Sequence, residues 1–164
     1  MIHYTTFDTP IGPLGLARTE RGLARILFEA EIPFLAEIVH RKFPYELLVE
    51  NAAVLEPTVK QLQEYFHGER TVFELETDLV APQFYKSVLL EVAKIPYGKT
   101  ASYKEIASRV GNPGAVRAVG GANAHNPLPI IIPCHRVLAH NRGLGGYGGG
   151  LELKQYLLEL EGIL

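Results

Sequence analysis

The pattern of hydrophobic and polar positions predicts strands followed by helices in the first half of the chain. Three short runs have β-strand patterns, at 2–7, 14–18 and 22–28, and turns rich in Pro and Gly separate them. Apolar residues then recur at helical spacing from Phe34 to Val39, and again from about Ala53 to Phe66. Strands followed by helices are typical of a small α+β domain.

Beyond Asp78–Pro82 the pattern becomes mostly helical. We therefore divide the chain into an N-terminal domain, 1–78, and a C-terminal domain, 79–164. The second domain is predicted to hold four helices, at 82–94, 102–110, 113–124 and 151–161. A short turn that contains glycine joins the second of these helices to the third. This layout is typical of a helix-turn-helix, although many other helical hairpins share it.

The residues of this helix pair fit a DNA-facing role. Ser102 precedes the first helix and Glu105 follows three residues later, which is the pattern of a capping box. The second helix begins with small residues, and Arg117 is its one long charged side chain. Because small side chains allow the backbone to approach DNA closely, this helix suits the narrow minor groove better than the wide major groove.

The distribution of charge changes what the composition implies. A formal net charge of −2 argues against nucleic acid as a partner. However, residues 1–78 hold 7 Lys or Arg against 13 Asp or Glu, whereas residues 79–164 hold 9 against 5. The second domain therefore has a charge of +4, which favours a surface that faces phosphates. Uneven scatter of surface charges is the alternative.

Two classes of location are excluded by sequence pattern. The N-terminus lacks a basic stretch followed by an apolar one, so no signal peptide is visible. The longest apolar runs, such as Ile130–Ile132, fall far short of the ~18 residues that a membrane-spanning helix needs. We expect a cytoplasmic protein with no membrane partner, associated with the nucleoid if the source is prokaryotic.

Cys134 is the single cysteine, so an intrachain disulfide and a four-thiolate zinc site are both excluded. An apolar run ends at Pro133, which predicts that Cys134 begins a helix. The helix dipole would then stabilise a thiolate, and a pKa lowered by about two units would make most of it nucleophilic. The alternative is a structural cysteine, since free Cys is among the most buried residue types.

His135 and Glu161 are the candidate partners of the thiol. Neighbouring residues on a helix diverge, so we expect His135 to reach Cys134 through a water molecule rather than directly. A carboxylate behind the imidazole would hold its tautomer, and Glu161 in the last helix is the candidate.

The segment Ile132-Pro133-Cys134-His135-Arg136-Val137 resembles the active-site motif of the O6-alkylguanine-DNA alkyltransferases. Further segments resemble that family in the same order, and together they cover nearly all of 82–162. They are the entry to the helix-turn-helix at 95–103, the recognition helix at 117–120, the hinge at 126–127, the active-site loop at 145–151 and the closing helix at 157–162. The first 78 residues share with the family only their size and the order of strands and helices.

The resemblance implies an N-terminal ribonuclease-H-like α/β domain and a mostly helical DNA-binding domain with a helix-turn-helix. It implies a single-turnover methylated-DNA–protein-cysteine methyltransferase. Such a protein flips O6-alkylguanine out of duplex DNA and keeps the alkyl group on its cysteine. The expected partner is double-stranded DNA, the expected state is a monomer, and neither a cofactor nor a metal is expected. Activity on O4-alkylthymine, the preferred alkyl group and cooperative assembly on DNA stay open.

Roles in the reaction follow from the same resemblance. Cys134 is the expected alkyl acceptor, His135 its base through water, and Glu161 the residue that orients His135. Asn126 is expected to brace the two halves of the site. Tyr103 is expected beside the phosphate of the flipped nucleotide, where it helps to protonate the departing guanine.

Roles in binding follow too. Arg117 is expected to enter the duplex and fill the vacated space, and backbone groups of Cys134 and Val137 to contact the edge of the guanine. Tyr147 and its neighbours are expected to close the pocket. Further contacts with DNA or base are expected from Ser102, Ala115, Val116, Gly120 and Gly148. Some family members have a serine in place of Gly148, which leaves the tolerance for bulky alkyl groups open.

Three other functions compete with this one. An alkyltransferase-like protein that binds damage without repair would lack the cysteine. A thiol hydrolase would use Cys134, His135 and Glu161 but has no need of a helix-turn-helix. A transcriptional regulator that senses alkylation through Cys134 would carry an additional metal-thiolate domain.

Overall fold

The computed structural model of the protein describes residues 1–139 and 143–164. These residues form two compact units, Met1–Val80 and Ala81–Leu164. The boundary lies two residues beyond the division at 78/79 that the hydropathy pattern predicts. None of the helices in the described ranges combines the length and the apolar character needed to cross a membrane.

The first unit is built on a four-stranded mixed sheet. Its strands are β1 (Ile2–Phe7), β2 (Leu14–Arg18), β3 (Leu23–Leu27) and β4 (Leu48–Glu50), in the spatial order β3-β2-β1-β4. The pairs β1–β2 and β2–β3 are antiparallel, whereas β1–β4 is parallel. The sequence predicts β1, β2 and β3 to within one residue and misses β4. That strand has three residues, none of them buried, so it leaves no hydrophobic pattern.

Helices pack against this sheet, and the longest of them begins with a side-chain cap. A 3-10 helix at Glu29–Phe34 leads into α1 (Leu35–His40), and α2 spans Ala52–Phe66. The Asn51 side chain caps α2 by accepting a hydrogen bond from the Val54 amide at 3.2 Å. The apolar positions of β1, β2, β3 and α1 meet in one core cluster of Ile2, Ala17, Leu27, Leu35 and Val39.

The second unit is mostly helical. It contains α3 (Gln83–Val92), β5 (Ala101–Ser102), α4 (Tyr103–Arg109), α5 (Val116–Ala124), a 3-10 turn (Cys134–Arg136), β6 (Val137–Leu138) and α6 (Leu151–Leu160). All four predicted helices are present. The third begins at Val116, three residues later than predicted, because Pro113 and Gly114 lie in a turn closed by the Ala115 amide and the Asn112 carbonyl at 3.0 Å.

The first helix of the pair, α4, begins with the predicted serine cap. Ser102 Oγ accepts a hydrogen bond from the Glu105 amide at 3.0 Å. The Glu105 carboxylate lies 3.6 Å from Arg109. On α5 the buried positions are Val119, Ala122 and Asn123.

A short parallel pair of strands positions the site. Ala101 in β5 pairs with Val137 in β6, and Ser102 pairs with Leu138. β5 immediately precedes the first helix of the pair, and β6 immediately follows the turn that holds Cys134. Main-chain hydrogen bonds therefore hold the cysteine turn beside the start of α4.

Candidate active site

Cys134 lies in a single 3-10 turn, Cys134–Arg136, which follows Pro133 and leads into β6. Only 3% of its surface is exposed. Cys134 does begin a helical segment, but this segment is one 3-10 turn and not a longer helix with a dipole at its N-terminus. Aligned peptide dipoles add up along a regular helix, and three residues supply too few of them to stabilise a thiolate. Proline before the turn is compatible with both structures, so its presence did not distinguish them.

Burial raises the pKa of Cys134 above its ordinary value. A hydrogen bond to Asn126, the positive charge of Lys154 and the hydroxyl of Tyr147 act in the opposite direction but do not cancel the effect of burial. The prediction that the Cys134 pKa is lowered is therefore wrong for the site without DNA. The thiol keeps its proton at neutral pH and requires a base.

Two asparagines brace the backbone around the cysteine. Asn126 Nδ2 donates to the Ile132 carbonyl at 2.9 Å, and Asn123 Nδ2 donates to the Cys134 carbonyl at 3.0 Å. Ile130, which lies between Asn126 and Ile132 in the chain, has a φ of 74°, a left-handed conformation that β-branched residues rarely adopt. The hydrogen bonds hold this segment in a shape that its sequence disfavours. The sequence identified Asn126 but missed Asn123, which lies one turn earlier.

His135 and Glu161 meet in the interior of the second unit. His135 Nε2 lies 2.6 Å from Glu161 Oε2, and both side chains have no solvent exposure. Burial is the main cause that lowers the pKa of His135, and Glu161 acts in the opposite direction. The other ring nitrogen, Nδ1, is buried and makes no hydrogen bond to a protein atom of the described residues. A neutral imidazole held by its Nε2–H thus keeps Nδ1 as an acceptor.

Arg136 completes this buried group, and the sequence reasoning overlooked it. Its Nε donates to Glu161 Oε1 at 2.8 Å and its Nη2 donates to Oε2 at 3.1 Å. The third nitrogen, Nη1, donates to the Ile95 carbonyl at 2.7 Å. The Gly98 amide also donates to Glu161 Oε1, at 3.2 Å. Glu161 is therefore held in one orientation from several directions.

Lys154 is a second charged residue that the sequence reasoning missed. Its side chain is fully buried, and Nζ donates to the carbonyls of Val137 at 2.8 Å and Gly146 at 3.2 Å. Nζ also lies 5.9 Å from the centre of the Tyr103 ring. Burial lowers the pKa of Lys154 to about 8, and the nearby Cys134 acts in the opposite direction. The ammonium group joins the active-site loop to β6 and places a positive charge near the thiol.

A cavity of about 460 Å³ opens next to these groups. Several predicted site residues line it: Tyr103, Val116, Arg117, Gly120, Tyr147 and Gly148. Gly146, a neighbour of Tyr147, lines it as well, and so do Asn123 and Ala124, which were not predicted. The residues from α5 recur at helical spacing, so one face of that helix forms a wall. Burial raises the pKa of Tyr103, and a negative charge on Cys134 acts in the same direction.

The remaining predicted residues lie outside the walls of this cavity. Ser102 caps α4, and Ala115 is the residue before α5. Val137 is fully buried in β6. Asn126 acts on the backbone, as described above. Within 1–139 and 143–164, no group of three or more His, Cys, Asp or Glu side chains is arranged to hold a metal ion.

Comparison with known proteins follows the same division into two units. The model of the 6-O-methylguanine DNA methyltransferase ribonuclease-like domain matches residues 2–79, and the model of the DNA-binding domain of the same family matches residues 83–163. The chain belongs to this family. The resemblance and the α+β fold class inferred from the sequence are thereby confirmed, including the order of a ribonuclease-like domain and a DNA-binding domain.

Relatives match over almost the whole chain. The methylated-DNA–protein-cysteine methyltransferase of Mycobacterium leprae is 47% identical over 161 residues, which cover 98% of this chain and 93% of the relative. The protein of the same name from Methanosarcina acetivorans is 41% identical over 166 residues, covering 98% and 99%. The crystal structure of Mycobacterium tuberculosis OGT in complex with DNA has a TM-score of 0.84 at 43% identity, covering 97% of this chain and 92% of that one.

Proposed function

We propose that this protein repairs duplex DNA by transferring the alkyl group of O6-alkylguanine irreversibly to Cys134. One observation carries the proposal. Cys134, the single cysteine of this chain, lies in a braced turn directly before the buried His135–Glu161 pair, in a protein that belongs to the methyltransferase family. The relatives are named for this transfer, and one was solved in complex with DNA. The single-turnover methyltransferase that the sequence predicts is the function that this site supports.

The cavity would receive the damaged base. An alkyl group within a stacked pair cannot be reached, so the nucleotide must rotate out of the duplex. This rotation costs a few kcal/mol, and less for a weakly paired damaged base. A volume of about 460 Å³ is within the ~300–1,000 Å³ typical of ligand sites. Tyr147 and Gly148 from the loop and Gly120 from α5 would enclose the base.

α5 would face the minor groove. Val116, Arg117 and Gly120 all line the cavity, and Arg117 is exposed. A long side chain at the mouth of the cavity is suited to fill the space that the flipped nucleotide leaves. The small residues around it would let the helix backbone come close to the DNA.

Backbone carbonyls near the thiol would contact the base. The Cys134 carbonyl already accepts a hydrogen bond from Asn123, and the Val137 carbonyl accepts one from Lys154. The Val137 amide also donates to the Cys134 carbonyl, so both lone pairs of that oxygen are used within the turn. The Val137 carbonyl would therefore be the main acceptor for the guanine amino group, with Lys154 fixing its direction.

The transfer begins with removal of the thiol proton. Because burial raises the Cys134 pKa, the proton must pass to His135, and a water molecule between the thiol and Nδ1 would carry it. The thiolate then attacks the alkyl carbon. The bond from sulfur to carbon forms as the bond from carbon to O6 breaks, and its electron pair moves into the guanine ring. The Lys154 ammonium stabilises the thiolate before attack.

The leaving guanine needs a proton. Tyr103 lies at the cavity, and burial raises its pKa, so the phenol keeps its proton until the ring becomes basic. Tyr103 would donate this proton to a ring nitrogen and regain one from the imidazolium through solvent. The products are unmodified guanine and a thioether on Cys134. A thioether is chemically stable, so each molecule reacts once.

Intact mass spectrometry tests the proposal. After incubation with duplex DNA that contains O6-methylguanine, the protein should gain the mass of one CH2, at one methyl group per molecule. The Cys134→Ser variant should gain nothing. Absence of the gain in the wild type, or its persistence in the variant, would refute the proposed transfer.

A further inference from the structure

The buried group around Glu161 contains a charged side chain, Arg136, that Glu161 does not need in order to orient His135. Glu161 accepts hydrogen bonds from His135 at 2.6 Å and from two nitrogens of Arg136, at 2.8 and 3.1 Å. The exposed fractions of the three side chains are 0% for His135, 0% for Glu161 and 7% for Arg136. At such burial each net charge is costly, so the number of protons in the group matters.

Charge counting shows the effect of the arginine. Glu161 and Arg136 neutralise each other, so the group of three is neutral only while His135 is neutral. Without Arg136, the same carboxylate would form a neutral pair with a protonated His135. Arg136 therefore competes with the imidazolium for one carboxylate. An arginine wins this competition because it stays charged at every relevant pH.

We infer that Arg136 is a positioning residue that keeps His135 neutral in the resting site, so that the imidazole can accept the thiol proton. This rests on the proposed function only for its consequence, the rate of transfer. The geometry supports the role independently, since Arg136 is itself anchored by the Ile95 carbonyl at 2.7 Å and lies over the Tyr97 ring at 5.6 Å.

The other charges around the imidazole act in known directions. Burial lowers the His135 pKa most, the hydrogen bond and charge of Glu161 raise it, and the charges of Arg136 and Lys154 lower it. Cys134 adjoins His135 in the chain. The phenol of Tyr97 has a pKa raised by burial and by Glu161, so it is uncharged near neutral pH. Glu161 is thus the group that favours the imidazolium, and the charge of Arg136 is hydrogen-bonded to Glu161.

The arginine also explains how the site accommodates the proton during the reaction. When His135 takes the proton, the group of three becomes positive while Cys134 becomes negative. The imidazolium is then paired with the thiolate instead of with Glu161 alone. A site with a resting imidazolium could not make this exchange, because its base would already be occupied.

The test is the titration of His135 by NMR in uniformly labelled protein, with the His135→Gln spectrum to assign its signals. In Arg136→Met the midpoint should rise by roughly one to three pH units relative to the wild type, because a neighbouring charge of the same sign as the imidazolium has been removed. Arg136→Lys keeps the charge, so its midpoint should stay near that of the wild type. The control Arg25→Met breaks an Arg–Glu pair in the first unit and should leave the midpoint unchanged.

A double variant covers the case in which Arg136→Met does not fold. Arg136→Met with Glu161→Gln removes both charges, and its midpoint should lie below that of Arg136→Met, or below pH 7 if the single variant is lost. Methyl transfer at pH 7 should fall roughly tenfold in Arg136→Met and largely recover at pH 9, since the neutral fraction of the imidazole follows the midpoint. Arg136→Lys should restore most of the rate.

The outcomes separate the two proposals. An unmoved His135 midpoint in Arg136→Met, or an equal loss of rate at pH 7 and pH 9, would overturn the role of Arg136. A wild-type protein that fails to take up methyl groups would overturn the proposed function, while the NMR titration would still decide the role of Arg136.

Discussion

Lys154 offers a direct test of how the site holds its charges. The side chain has no solvent exposure, and within the described ranges no carboxylate lies in ion-pair distance of Nζ. Its two carbonyl acceptors, on Val137 and Gly146, replace only part of the hydration that an ammonium group has in water. Protonated Lys154 should therefore reduce the stability of the fold, and raising the pH should remove this cost.

The magnitude follows from the shift of its pKa from 10.5 to about 8. Between these values the unfolded chain holds a proton that the folded protein has released, so the free energy of unfolding increases with pH. Below pH 8 both states are protonated and the cost is complete. Integrating over the two pKa values, this one residue should add roughly 2–3 kcal/mol to stability between pH 7 and pH 10.

The assay compares wild type with Lys154→Met by urea unfolding at pH 7, 8, 9 and 10. Other groups titrate in both proteins, so the difference between their free energies of unfolding isolates Lys154. This difference should change by roughly 2–3 kcal/mol in favour of the wild type as the pH rises. Lys94→Met is the matched control, because Lys94 is 70% exposed, and its difference should stay flat.

A flat difference for Lys154→Met would refute the reasoning, because it would mean that the ammonium group is solvated or paired in the native protein. A difference that moves in favour of the variant would show a raised pKa, and hence a thiolate beside Lys154 at rest. Methyl transfer should be slower in Lys154→Met at pH 7, since the thiolate loses its neighbouring positive charge and the loop loses its link to β6.

Three further substitutions separate DNA contacts from structural roles. Arg117→Ala should slow methyl transfer from duplex DNA far more than reaction with free O6-benzylguanine, and equal slowing would contradict its role in extrusion. Apart from its chain neighbours and the backbone of α5, a Cβ at Gly120 would meet no atom of the described residues within 4 Å. Gly120→Ala should therefore stabilise α5 by about 1 kcal/mol in urea unfolding yet weaken duplex binding in a fluorescence titration. Unchanged DNA affinity would show that α5 does not approach DNA closely there. Ser102→Ala should cost about 1 kcal/mol of stability by removing the cap of α4, and a large loss of DNA affinity in the folded variant would instead support the direct contact predicted from the sequence.

Periodic patterns predicted most of the regular structure, because burial on one face imposes a period on the sequence. The strands and helices that bury apolar side chains were predicted to within a few residues. β4 was missed because none of its residues is buried. Pro133 indicates the start of a helix at Cys134, but a proline in this position fits a single 3-10 turn equally well. A local sequence does not reveal that the turn stops after three residues, since β6 is formed by pairing with a strand more than 30 residues earlier.

The residues of the site likewise fall into those that the sequence identifies and those whose role depends on the fold. Cys134, His135 and Glu161 were found because two are adjacent and the third completes a known chemical arrangement. Arg136 is also adjacent, but its partner Glu161 lies 25 residues away, so the ion pair exists only in the fold. The raised pKa of Cys134 could not be predicted either, because it depends on the burial of the turn rather than on its sequence.

Lys154 did leave a signal in the sequence, and its meaning is specific. Lys154, Leu157, Leu158 and Glu161 recur at the spacing of one helical face, and all four are buried. A charge on the apolar face of a helix is costly, so such a residue persists only where the fold supplies partners. α6 and the residue that ends it carry two such charges, Lys154 and Glu161, about two turns apart with the leucine pair between them. One reaches the loop beside the thiol and the other reaches the base, so this single helix sets the charge on both sides of the proton transfer.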